Sequence, residues 1–366
     1  MSSWVIALLA LSALSFCVIA VPVLAHAPLF TSNNEDLTSA TFIPDPAKSW
    51  ALYAELHEGG EAQYYRFDML EGERIYISLF TTAAPEDETF APGLVLTGPG
   101  IPEMDAAPSF VEIPPEAGIQ VVQGSRSSEA TFEGFSPGVF VDLAEISREA
   151  PANGTYYIAV FDPARGGPYW LAIGYRESFT LSEWILIPFS LLSVYVWERQ
   201  NLLAILAPAI VVFVLGAILV FQRQKGKKPL DSAGWIAAAA GLLFLGTGAT
   251  VITQLLYAVS RASPDSFVIV TILLGFIPTV LGLMTLRLAF RHSGRWTIQS
   301  RAWLVIIAIL GIAAWSGYVI GPILAIIAGI IPFSGLWNKD RMEDPGKTKE
   351  VDPRERSDEE RGQSAR

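Results

Sequence analysis

Cysteine is almost absent from this sequence. Its 366 residues contain one, Cys17, which lies inside the first apolar run. A chain that loses this run keeps no thiol, so an intrachain disulfide, a thiolate metal site and a cysteine nucleophile are excluded. Histidine is nearly as scarce, with three residues. Only His26 and His57 precede the long apolar region, which leaves a Ser-His-Asp set without support. No zinc-protease motif occurs, and no phosphate-binding glycine loop precedes a helix. Charged residues are few as well, 17% against 51% hydrophobic, and the mean hydropathy is +0.40. A chain this apolar is neither disordered nor an ordinary soluble domain. A self-contained enzyme is the weakest reading.

What is present is unevenly distributed. Residues 4–25 read WVIALLALSALSFCVIAVPVLA, an apolar run with small residues at its end. This pattern predicts a secretory signal over 1–25, with a retained anchor as the alternative, and either sends residues 26–180 outside. Cleavage after Ala25 leaves His26 as the N-terminus, where amine and imidazole form a natural copper chelate that His57 would extend. The plainer alternative is a solvated His26 and a His57 in the turn LHEGGE, so copper is the less favoured metal.

Residues 26–180 hold 23 Asp plus Glu against 7 Lys plus Arg, a net charge of −16, which leaves +5 for the remainder. Such an acidic exterior repels nucleic acid and anionic surfaces and favours cations and basic partners. Period-two alternation and β-branched or aromatic residues predict strands at 49–56, 62–69, 74–81, 93–98, 119–124, 154–162 and 168–177. Turn residues separate them, so seven or eight short strands in an antiparallel β-sandwich are expected. The one helical candidate is VDLAEISREA, 141–150.

Two stretches, EAQYYRFDMLEGERIYISL (61–79) and NGTYYIAVFDPARGGPYWLAIGYRE (153–177), resemble the pre-peptidase C-terminal domain. That family has a tyrosine-rich strand, an EG turn and a later pair of strands built on GTYY. The resemblance covers about 120 residues and implies a jelly-roll-like β-sandwich used as a non-catalytic accessory module. Some modules of the family bind calcium or polysaccharide. Members usually follow a secreted peptidase, which is not found here.

From the residues themselves, Tyr64, Phe67, Ile75, Ile77, Tyr156, Ile158, Val160, Trp170 and Ala172 include alternating positions that would fill a sandwich core. Tyr65, Tyr157 and Tyr169 are candidates for an exposed carbohydrate platform, although strand tyrosines are more often packed pairs. Glu35 and Asp36, and separately Glu86, Asp87 and Glu88, form oxygen-rich loops that suit calcium. Neither has the spacing of a calcium loop, and a solvated acidic loop is the plainer reading. Asn153-Gly154-Thr155 is a glycosylation sequon in a turn.

Beyond residue 180 the composition changes. Residues 181–200 contain a 14-residue apolar stretch, Trp184 to Trp197, too short to cross a bilayer comfortably. Tryptophan at both ends predicts an interfacial helix joining sandwich to membrane. A transmembrane bundle is expected over 201–336, with spans at 202–222, 233–259, 267–290, 302–316 and 319–335. The last two form a hairpin; without it there are four spans. The basic loops RQKGKK (223–228) and 287–301 belong in the cytoplasm by the positive-inside rule. Small residues four apart, Gly234 with Ala238 and Ala237 with Gly241, permit close helix packing. Thr247, Thr250 and Gln254 mark a polar face that reads as helix–helix hydrogen bonding. The tail, 337–366, nearly balances its charges and is expected to be disordered and cytoplasmic.

The fold class expected is therefore an exported antiparallel β-sandwich followed by a multi-span α-helical membrane bundle. The function expected is a non-catalytic cell-surface protein of the plasma membrane that displays a binding domain. The alternatives are a sensor or accessory subunit of a transport complex, and a copper-handling protein. The partners expected are membrane lipids, and another membrane protein or an envelope polymer.

Overall fold

A computed structural model describes residues 27–31, 33–102, 106–224 and 229–330. The segments expected as signal and tail, and His26, lie outside the described residues. Eleven strands come first: β1 (Ala27–Phe30), β2 (Thr41–Phe42), β3 (Trp50–Leu56), β4 (Glu61–Met69), β5 (Arg74–Thr82), β6 (Gly93–Gly98), β7 (Gly118–Val122), β8 (Thr131–Glu133), β9 (Gly138–Glu149), β10 (Gly154–Asp162) and β11 (Gly167–Ile173). They form two sheets, ordered β1-β3-β11-β5-β9-β8 and β2-β4-β10-β6-β7. Pairing is antiparallel except where the short edge strands β1 and β2 run parallel to β3 and β4.

The segment 141–150 is not a helix but most of β9. The register shows why it misleads. Leu79 lies opposite Ala144 and Phe80 opposite Asp142, so β9 carries one extra residue, Leu143. That bulge slips the period-two pattern by one position and imitates a helical spacing.

Between the sheets lie Leu52, Tyr65, Phe67, Ile77, Leu79, Ile158, Tyr169 and Leu171. Three residues expected in this core face the other way. Tyr64 lies on the outer side of its sheet among Val111, Phe110 and Ala107, and its hydroxyl accepts the Glu112 N–H at 2.7 Å. Trp170 and Ala172 lie on the outer side of the first sheet with Tyr53 and Val194. Both sheets are therefore covered on both faces, and all seven residues of β11 are buried. Strands of this kind read as continuous apolar runs, so alternation assigns their faces poorly.

Six helices follow: α1 (Leu181–Trp197), α2 (Leu202–Gln224), α3 (Ser232–Val259), α4 (Val268–His292), α5 (Ile298–Ala313) and α6 (Ile320–Ile330). By length and composition α2, α3 and α4 can cross a membrane. Only 11% of the apolar window of α2 is buried, against 56% for α3 and α4, so α2 flanks the bundle and the other two form its centre. The apolar stretch 302–335 is broken into α5 and α6 by a turn in which Trp315, Gly317, Tyr318 and Val319 all have left-handed backbones. Such a turn is costly for Val319. It is tied down by Thr247, whose hydroxyl accepts the Gly317 N–H at 2.8 Å. α6 then folds back along α5, and a side-chain carbon at Gly329 would meet the Arg301 carbonyl at 3.1 Å.

Candidate functional site

The turn between β3 and β4 brings three donors together. One ligand atom each from Glu35, His57 and Glu61 lies within 4.8 Å of the others. Glu61 opens β4 and its carboxylate is well held. It accepts from the His57 and Glu58 backbone N–H groups and from Gln63 Nε2 at 2.9 Å, and it faces His57 Nδ1 at 3.2 Å. Burial pushes the Glu61 carboxyl up, but these hydrogen bonds together outweigh it and leave it below its ordinary value. The same contact with Glu61 holds the His57 imidazole above its ordinary value.

Behind Glu61 runs a buried relay. Gln63 Nε2 also donates to the Glu55 carbonyl at 2.8 Å, and its Oε1 accepts the Tyr169 hydroxyl at 2.6 Å. The Tyr169 and Tyr65 hydroxyls lie 2.6 Å apart, and Tyr65 continues to Thr31 at 3.2 Å. Burial raises both phenols, so they remain neutral hydrogen-bonding groups. One imidazole and two carboxylates suit a divalent transition ion better than calcium, which wants six to eight oxygens.

This arrangement redraws the sequence-based candidates. Glu35 and His57, assigned to different metals, lie together, and Glu61 joins them. Its signal was visible in the short spacing H-E-G-G-E, but only the β3–β4 turn directs the two side chains to one point. Asp36 turns away, its carboxylate accepting from Thr38 Oγ1 at 2.7 Å and from the Ser39 N–H at 2.8 Å. The carbohydrate platform is overturned for Tyr65 and Tyr169, both fully buried; Tyr157 is half-buried against the outer layer. Glu86 and Glu88 are exposed, but Asp87 is buried in a one-turn helix that begins at Pro85, where it accepts from Thr82 and pairs with Arg199 at 3.6 Å. Asp87 therefore serves the fold and leaves the proposed calcium loop. Asn153 is exposed in the β9–β10 turn, where its Oδ1 accepts the Glu71 N–H at 2.7 Å.

A second assembly joins sandwich and bundle. α1 lies across the outer face of the first sheet beside β3. A capping box of Thr180 and Glu183 starts it, and Glu183 also binds Lys48 Nζ at 2.6 Å. At its other end Trp197 Nε1 donates to the Ala54 carbonyl at 3.2 Å and its ring meets Tyr53 edge-on at 5.1 Å. The β8–β9 turn then enters the end of the bundle. Thr271 Oγ1 donates to the Gly134 carbonyl, and Phe135 meets Trp315 edge-on at 5.0 Å. No side chain fits at Gly134, where a Cβ would come within 2.5 Å of the Phe267 backbone.

Glu198, just past α1, is the buried acid of this junction. Gln200 Nε2 donates to it at 3.1 Å, and Gln200 in turn accepts from Gln254 Nε2 at 3.0 Å. Burial, with a smaller contribution from Glu133, pushes the Glu198 carboxyl up to about 8, so it is largely protonated near neutrality. The polar face of α3 is thus joined to the α5–α6 turn through Thr247 and to the α1–α2 connection through Gln254. The small residues Gly234, Ala237, Ala238 and Gly241 are all buried. The tightest approach to α4 is at Gly241 and Gly248, where an added Cβ would meet the Gly282 carbonyl at 3.0 Å and the Gly275 carbonyl at 2.9 Å.

The chain is similar to the 1.0 Å crystal structure of the pre-peptidase C-terminal domain of collagenase from Bacillus anthracis. The two share 17% identity over 38% of this chain and 97% of that one, with a TM-score of 0.21. This is the family that residues 61–79 and 153–177 resemble. No protein-family model matches the chain, and no curated protein matches it.

Proposed function

We propose that this is a non-catalytic cell-surface membrane protein that displays its β-sandwich outside and carries it on the helical bundle as a rigid mount. The observation that carries this reading is the double attachment of the sandwich. α1 is fixed at its start to Lys48, just ahead of β3, and at its end to Ala54 of β3, and the Gly134-Phe135 turn is seated in the bundle. A tether would leave these contacts unmade; two anchors 50 residues apart in sequence hold the domain in one orientation. In this reading the rim formed by Glu35, His57 and Glu61 is the place for a cation or a basic partner. The sandwich acts by binding rather than by catalysis.

An accessory subunit of a membrane complex would share this architecture. The experiment that separates the two is purification of the full-length protein from its native membranes after mild cross-linking, followed by mass spectrometry. Envelope polymer or small ligands recovered with a solitary protein support the displayed binding domain. A stoichiometric membrane partner transfers the function to the complex.

A further inference from the structure

On the outer face of the first sheet, β5, β9 and the β8–β9 turn line a cavity of about 280 Å³ together with the α3–α4 connection and the start of α4. This is near the lower end of the size range of small-ligand sites. Two kinds of side chain meet in it. The first is aromatic. Tyr76, Phe80, Phe140 and Phe267 line the cavity and are half-buried, and Phe80 and Phe140 meet edge-on at 4.9 Å. Trp170 stacks on Phe80 at 4.5 Å and on Tyr53 at 5.8 Å, so it serves the packing behind them. The second kind is acidic: Glu133, Asp142 and Asp265. Glu133 is taken up by its own turn, accepting from the Phe135 and Ser136 N–H groups at 2.8 and 2.6 Å and from the Ser136 hydroxyl. Asp142 and Asp265 are exposed. Asp142 Oδ2 accepts from Thr131 Oγ1 at 2.6 Å, and Asp265 Oδ1 accepts the Phe267 N–H at 2.9 Å. Among the described residues the other oxygen of each has no hydrogen-bond partner.

We infer that this cavity binds a small organic ammonium ion. Ring and acid are neighbours by register, since Phe80 lies directly opposite Asp142 and Phe140 is two residues along on the same face of β9. A cation held against an aromatic ring with a carboxylate beside it gains from both. The like charges also crowd one another. Burial pushes the Glu133 carboxyl up and the Asp265 charge adds to this, so a bound cation relieves a repulsion already present. An inorganic ion is the poorer fit, because it needs converging ligand atoms. Among the described residues only Glu35, His57 and Glu61 bring three such atoms within 4.8 Å of one another. The chain makes the same kind of contact itself at Tyr76, where the Arg74 guanidinium lies 4.9 Å from the ring. That charge directs a ligand towards the Phe80–Phe140 end. The site is separate from the Glu35–His57–Glu61 rim, and it deepens the reading of the sandwich as a part that acts by binding.

The ammonium group could belong to a soluble amine or to the headgroup of a choline lipid, and one experiment covers both. Full-length protein in a mild neutral detergent is dialysed to equilibrium against radiolabelled choline. Choline should bind at one saturable site. Tetramethylammonium should displace it, and dimethylbutanol, the neutral carbon analogue, should not. No saturable binding, or equal displacement by the alcohol, overturns the inference and leaves the displayed-domain reading standing. Phe140→Leu and Asp265→Asn, on separate elements and each checked for native circular dichroism, should weaken choline binding about tenfold. Glu58→Gln, at an exposed acid of the β3–β4 turn outside the cavity, should leave it unchanged. Equal weakening by all three substitutions means a diffuse charge effect and overturns the site, as does full binding by the first two. Displacement of choline by phosphatidylcholine at low micellar fraction supports the site with a lipid headgroup as its occupant; failure of that displacement supports it with a soluble amine.

Discussion

Between its two sheets the sandwich buries Tyr65, Tyr156 and Tyr169 whole and pairs every hydroxyl, Tyr156 with the Ala152 carbonyl at 2.7 Å and the other two with each other. The bundle closes its tightest contact with Gly241, Gly248, Gly275 and Gly282, which have no side chain to pair. The contrast follows from the surroundings of each region. In water, burying a large aromatic is favourable as long as its polar tip finds a partner. Helices in a medium as apolar as themselves gain nothing from burial as such and associate through close backbone approach. The junction combines both devices, with aromatic rings from both sides, Phe135 against Trp315, and a close backbone approach of Gly134 to Phe267.

Five substitutions would break or sharpen this comparison. Phe135→Ala removes the ring seated against Trp315 and should cost about 3 kcal/mol. Calorimetry in detergent should then resolve sandwich and bundle as two transitions where the native protein has one. Gly241→Leu puts a branched side chain against Leu286 and the Gly282 carbonyl and should lower bundle stability by about 2–3 kcal/mol, leaving the β-sheet circular dichroism intact; an unchanged melting temperature would mean the α3–α4 contact is looser than described.

Glu198→Gln tests the junction by pH. The folded protein holds its proton up to about pH 8 while the unfolded chain releases it near the ordinary carboxyl value of 4.5. Stability therefore falls as pH rises between these values. The glutamine variant should lack this decline and exceed the native protein in stability at pH 8. Tyr169→Phe leaves Gln63 Oε1 and the Tyr65 hydroxyl buried with one partner fewer, which should cost about 1–2 kcal/mol, measured by urea titration. His57→Ala, on an exposed side chain, should change stability by no more than about 0.5 kcal/mol. Zinc should raise the melting temperature of the native protein and not of this variant; an equal shift in both would remove the rim as a metal site.

Among the described residues, seven of the eleven strands and all six helices were legible in the sequence, within a few residues, because each carries its own signal. The strands missed were β1 and β2, short parallel edge strands, β8, with three residues, and β9, whose bulge at Leu143 breaks the period. The candidate site was half legible. His57 and Glu35 were visible as ligand types, but 22 residues of sequence separate them, and only the packing of the chain ahead of β2 against the β3–β4 turn makes them neighbours. Tyr65 and Tyr169 were misassigned because both sheet faces are covered, one by the 106–113 segment and one by α1.

The sequence by itself determined the division of this protein into an acidic β region and an apolar helical one. Hydrophobic periodicity and charge are properties of neighbouring residues, and they decide local structure and preferred solvent without reference to the rest of the chain. The tertiary structure alone decided which tyrosines are hidden, which carboxylate meets His57, that Asp87 and Glu198 are buried, and that the β8–β9 turn enters the bundle. Each of these depends on what a distant segment places on the other side of the residue. Burial and proximity are set by packing, and no local pattern encodes the partner.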